Sequence, residues 1–167
     1  MTDASSRPEP ERVLFTTRKE YCDAFERLII LAQHELRIFD ADFSDLDINS
    51  PRKCELLRAF LLRSGNSRLY IAVRDTEYMR NYCPRLLELM RQFSDRMFIF
   101  QTLGDASRAQ DSFVLADRLH VVRRPVSAQP RGALRIGDDQ EAQGIYLRFC
   151  EIWDSSFPAI SATTAGL

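Results

Sequence analysis

Apolar positions alternate along the chain between short runs that read as strands and longer stretches with helical spacing. Val13 to Thr16 reads as a short strand. Thr17 then offers a helix cap with Glu20 three residues on, so that hydroxyl and carboxylate satisfy each other's free backbone amides. Tyr21, Phe25, Leu28, Ile29 and Ala32 line one face of the helix that follows. Glu35 to Phe39 is the second strand, and Asp40 to Asn49 an acidic loop. Ser50 and Pro51 start a second helix as cap and first helical residue. It runs to about Arg63 and breaks at Ser64-Gly65-Asn66. Arg68 to Val73 is the third strand. Thr76 to Phe93 is helical, but Pro84 must kink or split it, because proline lacks an amide and clashes with the preceding turn. Met97 to Thr102 is the fourth strand.

Beyond Thr102 the spacing shortens. Ser112 to Ala116 and Leu119 to Val122 are strand-like runs separated by Asp117-Arg118, which reads as a hairpin or a bent strand. Ala133 to Ile136 is another strand. Asp138 caps a last helix whose Ala142, Ile145, Tyr146, Phe149, Ile152 and Trp153 form one apolar stripe. Alternating strands and helices followed by extra strands predict an α/β fold, a mixed β-sheet flanked by helices on both faces. Residues 1–12 are expected to be a disordered N-terminal segment, 13–156 the domain, and 157–167 a flexible tail that frays from Ser155 on.

The length of 167 residues fits one domain with a core of its own. The 23 Lys and Arg nearly cancel the 24 Asp and Glu, which excludes wholesale attraction to nucleic acid or to an acidic membrane. A local basic patch stays compatible with that balance. No apolar run approaches the ~20 residues that span a bilayer. Met1 to Arg12 is polar and lacks a signal peptide's apolar core, so a cytoplasmic location without a membrane span is expected. Cys22, Cys54, Cys83 and Cys150 are far apart and read as buried free thiols rather than a disulfide framework or zinc site.

Three groups of residues carry candidate chemistry. Asp40 and Asp42 follow a strand and could hold Mg²⁺ or accept a phosphoryl group. The pair is similar to the strand-Asp-x-Asp motif of haloacid-dehalogenase-type phosphatases, with Gly137-Asp138-Asp139 as the distal acids. The plainer reading of the same residues is a solvated loop of Asx turns and a helix cap. The histidines, His34 and His120, stand alone, without a second His or Cys at ligand spacing. Arg118, Arg123, Arg124, Arg131 and Arg135 bracket the last strands and would suit a phosphate-sized anion, or a solvated face with carboxylate partners. No glycine-rich phosphate loop is present, and no metal or cofactor is implied.

The stretch from Gln110 through Ser112, Phe113, Val114, Leu115, Ala116 and Asp117 to Arg124 resembles the phospholipase D superfamily. Those enzymes carry His-x-Lys-x4-Asp on a strand, then a second strand and a Gly-Ser-x-x-Asn element. Laid on that pattern, Gln110 stands at the histidine, Ser112 at the lysine and Asp117 at the aspartate. Arg123-Arg124-Pro125 occupies the Gly-Ser region. The terminal helix ending at Phe149 to Trp153 is similar to the helix that closes these domains, and the likeness spans roughly Thr17 to Ser156 in element order. More closely, the chain resembles an uncharacterised bacterial family of degenerate phospholipase D-like domains.

This resemblance implies a phospholipase D-like half-domain without the family's chemistry. Glutamine cannot become the phosphohistidine, and serine lacks the charge that offsets the transition state. The function so implied is binding or scaffolding, of a phosphate-containing ligand or a protein partner. A homodimer is expected to pair through the motif face carrying Val114, Leu119 and Val121. The competing reading is an enzyme, either a metal-dependent phosphatase-like hydrolase using Asp40 and Asp42 or a hydrolase using His120.

Overall fold

The computed structural model describes residues 9–160. The chain runs through β1 (Glu11–Phe15), α1 (Arg18–Leu31), β2 (Glu35–Asp40), α2 (Pro51–Leu62), β3 (Arg68–Val73), α3 (Glu77–Tyr82) and α4 (Pro84–Gln92). It continues with β4 (Met97–Thr102), β5 (Ser112–Ala116), β6 (His120–Arg124), β7 (Gly132–Ile136), α5 (Asp139–Asp154) and β8 (Ser156–Ile160). The strands form one mixed sheet in the order β1-β7-β6-β5-β2-β3-β4-β8. Strands β2, β3 and β4 run parallel, and every other neighbour pair is antiparallel.

Local chemistry accounts for most of the element ends. Thr17 Oγ1 accepts from the Glu20 amide at 3.2 Å, while the Glu20 carboxylate reaches the Thr16 amide at 3.4 Å. Ser50 Oγ accepts from the Lys53 amide at 3.2 Å with Pro51 as first helical residue. Asp138 caps α5 through the Glu141 amide at 3.1 Å. Pro84 splits the long helical stretch, because Cys83 leaves helical geometry and α4 restarts at the proline.

The sheet separates two cores. On one side Tyr21, Phe25 and Leu28 of α1 and Leu57, Phe60 and Leu61 of α2 pack on Leu36, Ile38, Val114 and Val122. On the other, Ala142, Ile145, Phe149 and Ile152 of α5 pack on Phe39, Phe113, Leu115 and Val121. Side chains alternate across a strand. Neighbouring residues of β6 therefore serve different cores: Val122 faces α1 and Val121 faces α5.

Several expectations need correction. Ser156–Ile160, expected in the flexible tail, is β8 and pairs antiparallel with β4, with Ile160 buried. It covers the outer amides of β4, which would otherwise remain an open edge. Its Pro158 is tolerated at an edge position, and a register shift lies between Ile99 and Phe100. Glu11 and Arg12, expected in the disordered segment, belong to β1. Residues 1–8 and 161–167 of the two expected flexible segments lie outside the described residues. Among the cysteines Cys83 alone is buried and the other three are half-buried, all four being free thiols. Val114 and Val121, expected on a pairing face, are buried inside the chain under α1 and α5, and Leu119 is half-buried. Among the described residues no helix is long and apolar enough to cross a membrane.

Candidate functional site

The β5–β6 hairpin carries the motif positions, and its two ends are built differently. At the open end Gln110 is exposed, and its side-chain amide donates to the Arg108 carbonyl at 2.9 Å. Ser112, the first residue of β5, is fully buried and lies opposite Arg124 in register. Arg124 is also buried, on the α1 side of the sheet. Its Nε donates to Ser112 Oγ at 3.0 Å, Nη2 to Asp40 Oδ1 at 3.2 Å and Nη1 to Asp45 Oδ2 at 3.1 Å. The guanidinium lies 4.1 Å from the centre of the Tyr21 ring. Arg124 is therefore no surface anion ligand, since its donors are spent inside the domain.

Asp40 is consumed by the same network. Its Oδ2 accepts from the Phe43 amide at 2.7 Å and the Asp42 amide at 3.2 Å. Burial pushes the Asp40 carboxyl above its ordinary range, against the pull of the Phe43 amide and of Arg124. Burial, with the Asp40 charge adding to it, also pushes the Tyr21 hydroxyl up. Asp42 turns away and accepts the Ser44 amide at 2.9 Å and the Ser44 hydroxyl at 2.7 Å. The acidic loop is thus a set of Asx turns around a buried ion pair. Phe43, fully buried, sits in it at φ 71°, a strained conformation for a bulky residue.

The turn end of the hairpin is closed by Asp117. Asp117 and Arg118 have φ of 54° and 53°, the left-handed pair that a type I′ turn requires. The Asp117 carboxylate accepts three backbone amides, from Gln33 at 2.8 Å, His34 at 2.8 Å and Glu35 at 3.0 Å. It ties the hairpin to the start of β2. Arg118 donates to Glu35 at 2.7 Å and stacks 3.8 Å over the Tyr146 ring. His120 is buried and its Nδ1 accepts from the Gly137 amide at 3.0 Å. Burial pushes the His120 pKa down, partly offset by the Asp117 charge.

The structure does not bring together all the residues that the sequence grouped. Arg118 stands at the turn end, a strand's length from Arg123 and Arg124. Asp138 pairs with Arg135 at 3.2 Å and caps α5, also near the turn end. Asp40 and Asp42 lie at the other end of the sheet, about 15 Å away at the strand rise of ~3.3 Å per residue. The two-part acidic site of a phosphatase is therefore not assembled. Among the described residues no cluster of His, Cys, Asp or Glu suited to a metal ion occurs. His34 lends its amide to Asp117 rather than its ring to a site.

On the α5 face the sheet is only partly covered. A groove of about 480 Å³ opens over β6, β7 and β1, with Arg12, Arg123, Arg131 and Arg135 around Leu14 and Val121. Arg123 reaches Asp111 at 3.4 Å, but that buried carboxylate is already held by Arg148 Nε at 3.1 Å and Nη2 at 2.5 Å. Among the described residues Arg12 and Arg131 have no ion-pair partner.

A family model described as a domain of unknown function, DUF7931, matches residues 17–162. The chain belongs to the DUF7931 family. No curated protein sequence matches it. Among solved structures this DUF7931 chain is similar to Nuc, a phospholipase D family member from Salmonella typhimurium. The TM-score is 0.66 at 12% identity, covering 92% of this chain and 100% of that one. NucT from Helicobacter pylori matches at TM-score 0.61 and 11% identity, covering 90% and 99%. TrmBL2, an archaeal chromatin protein, matches at 0.66 and 10% identity, covering 95% of this chain and 57% of that one. Likeness at such identity establishes a phospholipase D-like fold and carries no chemistry with it.

Three of the five arginines grouped from the sequence, Arg123, Arg131 and Arg135, line this groove, whereas Arg118 and Arg124 do not and Arg12 was not among them. A strand beginning at Val13 leaves Arg12 outside it, whereas β1 begins at Glu11. Closeness in sequence groups the five arginines without separating the two faces of the strands. Alternation was the available signal, since Arg123 and Arg124 must face opposite sides of β6.

Proposed function

We propose that this domain is a non-catalytic phospholipase D-like module that binds an anionic ligand rather than cleaving one. The observation that carries the reading is the buried Arg124, whose guanidinium joins Ser112, Asp40 and Asp45 where the open end of the motif hairpin would present its cation. With Gln110 aligned to the nucleophilic histidine and Ser112 to the lysine, neither the covalent intermediate nor its charge stabilisation has a residue to form it. Each such contribution is worth several kcal/mol of barrier, or roughly 10²–10³ in rate. The hydrolase readings find less support. Asp40 is sealed against Arg124, and His120 accepts a backbone amide inside the fold at the far end of the hairpin.

The test is hydrolysis of bis-(p-nitrophenyl) phosphate and of p-nitrophenyl phosphate, with and without Mg²⁺. The expected result is a rate equal to buffer under every condition. A diesterase rate that disappears in Asp117→Ala while the fold persists would overturn the proposal. A Mg²⁺-dependent rate that disappears in Asp42→Asn would establish the phosphatase reading in its place.

A further inference from the structure

Arg12 lies opposite Arg135 in the β1–β7 register, and Leu14 opposite Ala133. Across the next pair Val121 lies opposite Arg135, and Arg123 opposite Ala133. Two rows thus cross the open sheet face, Arg12-Arg135-Val121 and Leu14-Ala133-Arg123. Like charges placed directly across strands repel, and nothing on β1 relieves this pair. Asp138 draws on Arg135 at 3.2 Å, Arg12 and Arg131 stay unpaired among the described residues, and Glu141 is the one carboxylate lining the groove. The floor is apolar: Leu14 is 64% exposed and Val126, at the groove's end, 39%. Its volume of about 480 Å³ is that of a small-molecule site.

Neither half of this surface is complemented by a simple partner. An inorganic anion would satisfy the guanidinium groups and leave Leu14 and Val126 wet. A neutral apolar molecule would cover those side chains and desolvate the arginines without compensation. Guanidinium forks match the paired oxygens of phosphate and carboxylate. We infer that the groove over β1, β7 and β6 binds an amphiphilic anion, a phosphate or carboxylate carried on an apolar body. The inference rests on the non-catalytic binding reading and names the ligand class for it. The groove lies on the opposite side of the sheet from the sealed Arg124 network.

Isothermal titration of the full chain with decyl phosphate, decanoate, inorganic phosphate and 1-decanol tests it, each amphiphile kept below its micelle threshold. Decyl phosphate or decanoate is expected to bind one per chain, at least tenfold more tightly than inorganic phosphate or 1-decanol. The Arg12→Glu/Arg131→Glu variant changes two exposed, unpaired side chains, so the fold should persist, and its affinity should drop at least tenfold. Retention on phosphatidylglycerol vesicles, lost in that variant, would identify the source as a lipid surface. Binding of the free amphiphile without vesicle retention would identify a soluble ligand, and both outcomes uphold the site. Equal affinity in the variant, or a preference for inorganic phosphate, would overturn it. A dimer that Leu14→Asp converts to monomer would overturn it too, by making the groove an interface between copies. No binding together with no hydrolysis refutes this inference alone. Hydrolysis of a diester with binding retained refutes the non-catalytic reading and leaves the groove standing.

Discussion

On β6 two consecutive arginines meet opposite surroundings. Arg124 points to the α1 side, where Ser112, Asp40, Asp45 and the Tyr21 ring take every face of its guanidinium. Arg123 points to the α5 side, into a groove, with one 3.4 Å contact to a carboxylate that Arg148 already holds and an Nε that is buried without a partner. Below the sheet the charge is neutralised by the chain itself. Above it, positive charge is left over. The difference teaches where a ligand can act. A surplus of unsatisfied cations beside an apolar floor can recruit something, whereas a closed network can only hold the fold together.

The comparison breaks first under substitution of the two arginines. Arg124→Met leaves Asp40 buried and charged without its partner, and should cost about 3–5 kcal/mol. Arg123→Met removes a half-exposed contact and should cost no more than about 1 kcal/mol. Urea unfolding followed by tryptophan fluorescence separates the two. Adding Asp40→Asn to Arg124→Met should recover part of the loss, because the stranded charge goes with it. Equal losses for the two arginines would remove the distinction between the two sides of β6.

The next largest effect concerns Asp117. Asp117→Ala orphans the Gln33, His34 and Glu35 amides and places alanine at φ 54°, so it should cost about 1–3 kcal/mol. Asp117→Asn keeps an acceptor oxygen and tolerates the left-handed turn, and should lose less. Thermal melts of the two variants rank them, and melts identical to the parent would contradict the account.

A pH scan sharpens the role of His120. Its folded pKa lies below the unfolded value near 6.5, so between those two values the unfolded chain binds the extra proton. Its stabilising contribution is complete above about pH 6.5 and is lost as pH falls through the folded pKa. His120→Gln should flatten that part of the stability curve, which denaturant midpoints across pH 4–8 would show. An unchanged slope would mean that other groups set it.

The smallest stability effect belongs to the groove. Arg12→Glu should shift stability by no more than about 0.5 kcal/mol, toward stabilisation, since it turns the cross-strand repulsion with Arg135 into attraction. A large loss would mean that Arg12 supports the fold rather than a ligand.

Legibility in the sequence followed the range of the forces. The β3 and β4 boundaries, the caps at Thr17, Ser50 and Asp138, and the break at Pro84 were readable because each depends on residues within one turn or strand. β8 was not, because Ser156–Ile160 contains a proline, lacks alternation, and is a strand only through β4. The Asp117-Arg118 turn is visible in the sequence, but the partners of the Asp117 carboxylate are not, because they lie 82 to 84 residues earlier. The sequence does not separate Arg124 from the surface arginines, because it gives the alternation of sides without saying which side is closed. Only the arrival of Asp40, 84 residues away, makes it an interior residue.

The most direct test of the account is a single-turnover experiment. Wild-type protein in molar excess over bis-(p-nitrophenyl) phosphate is followed for nitrophenolate and then weighed intact by mass spectrometry. Excess protein exposes even one slow event per chain, which steady-state turnover would hide. With the open end of the hairpin closed by Arg124, no nitrophenolate appears above buffer and the mass of the chain is unchanged. A burst of nitrophenolate matching the substrate added, or a chain heavier by a phosphoryl adduct, would contradict the account.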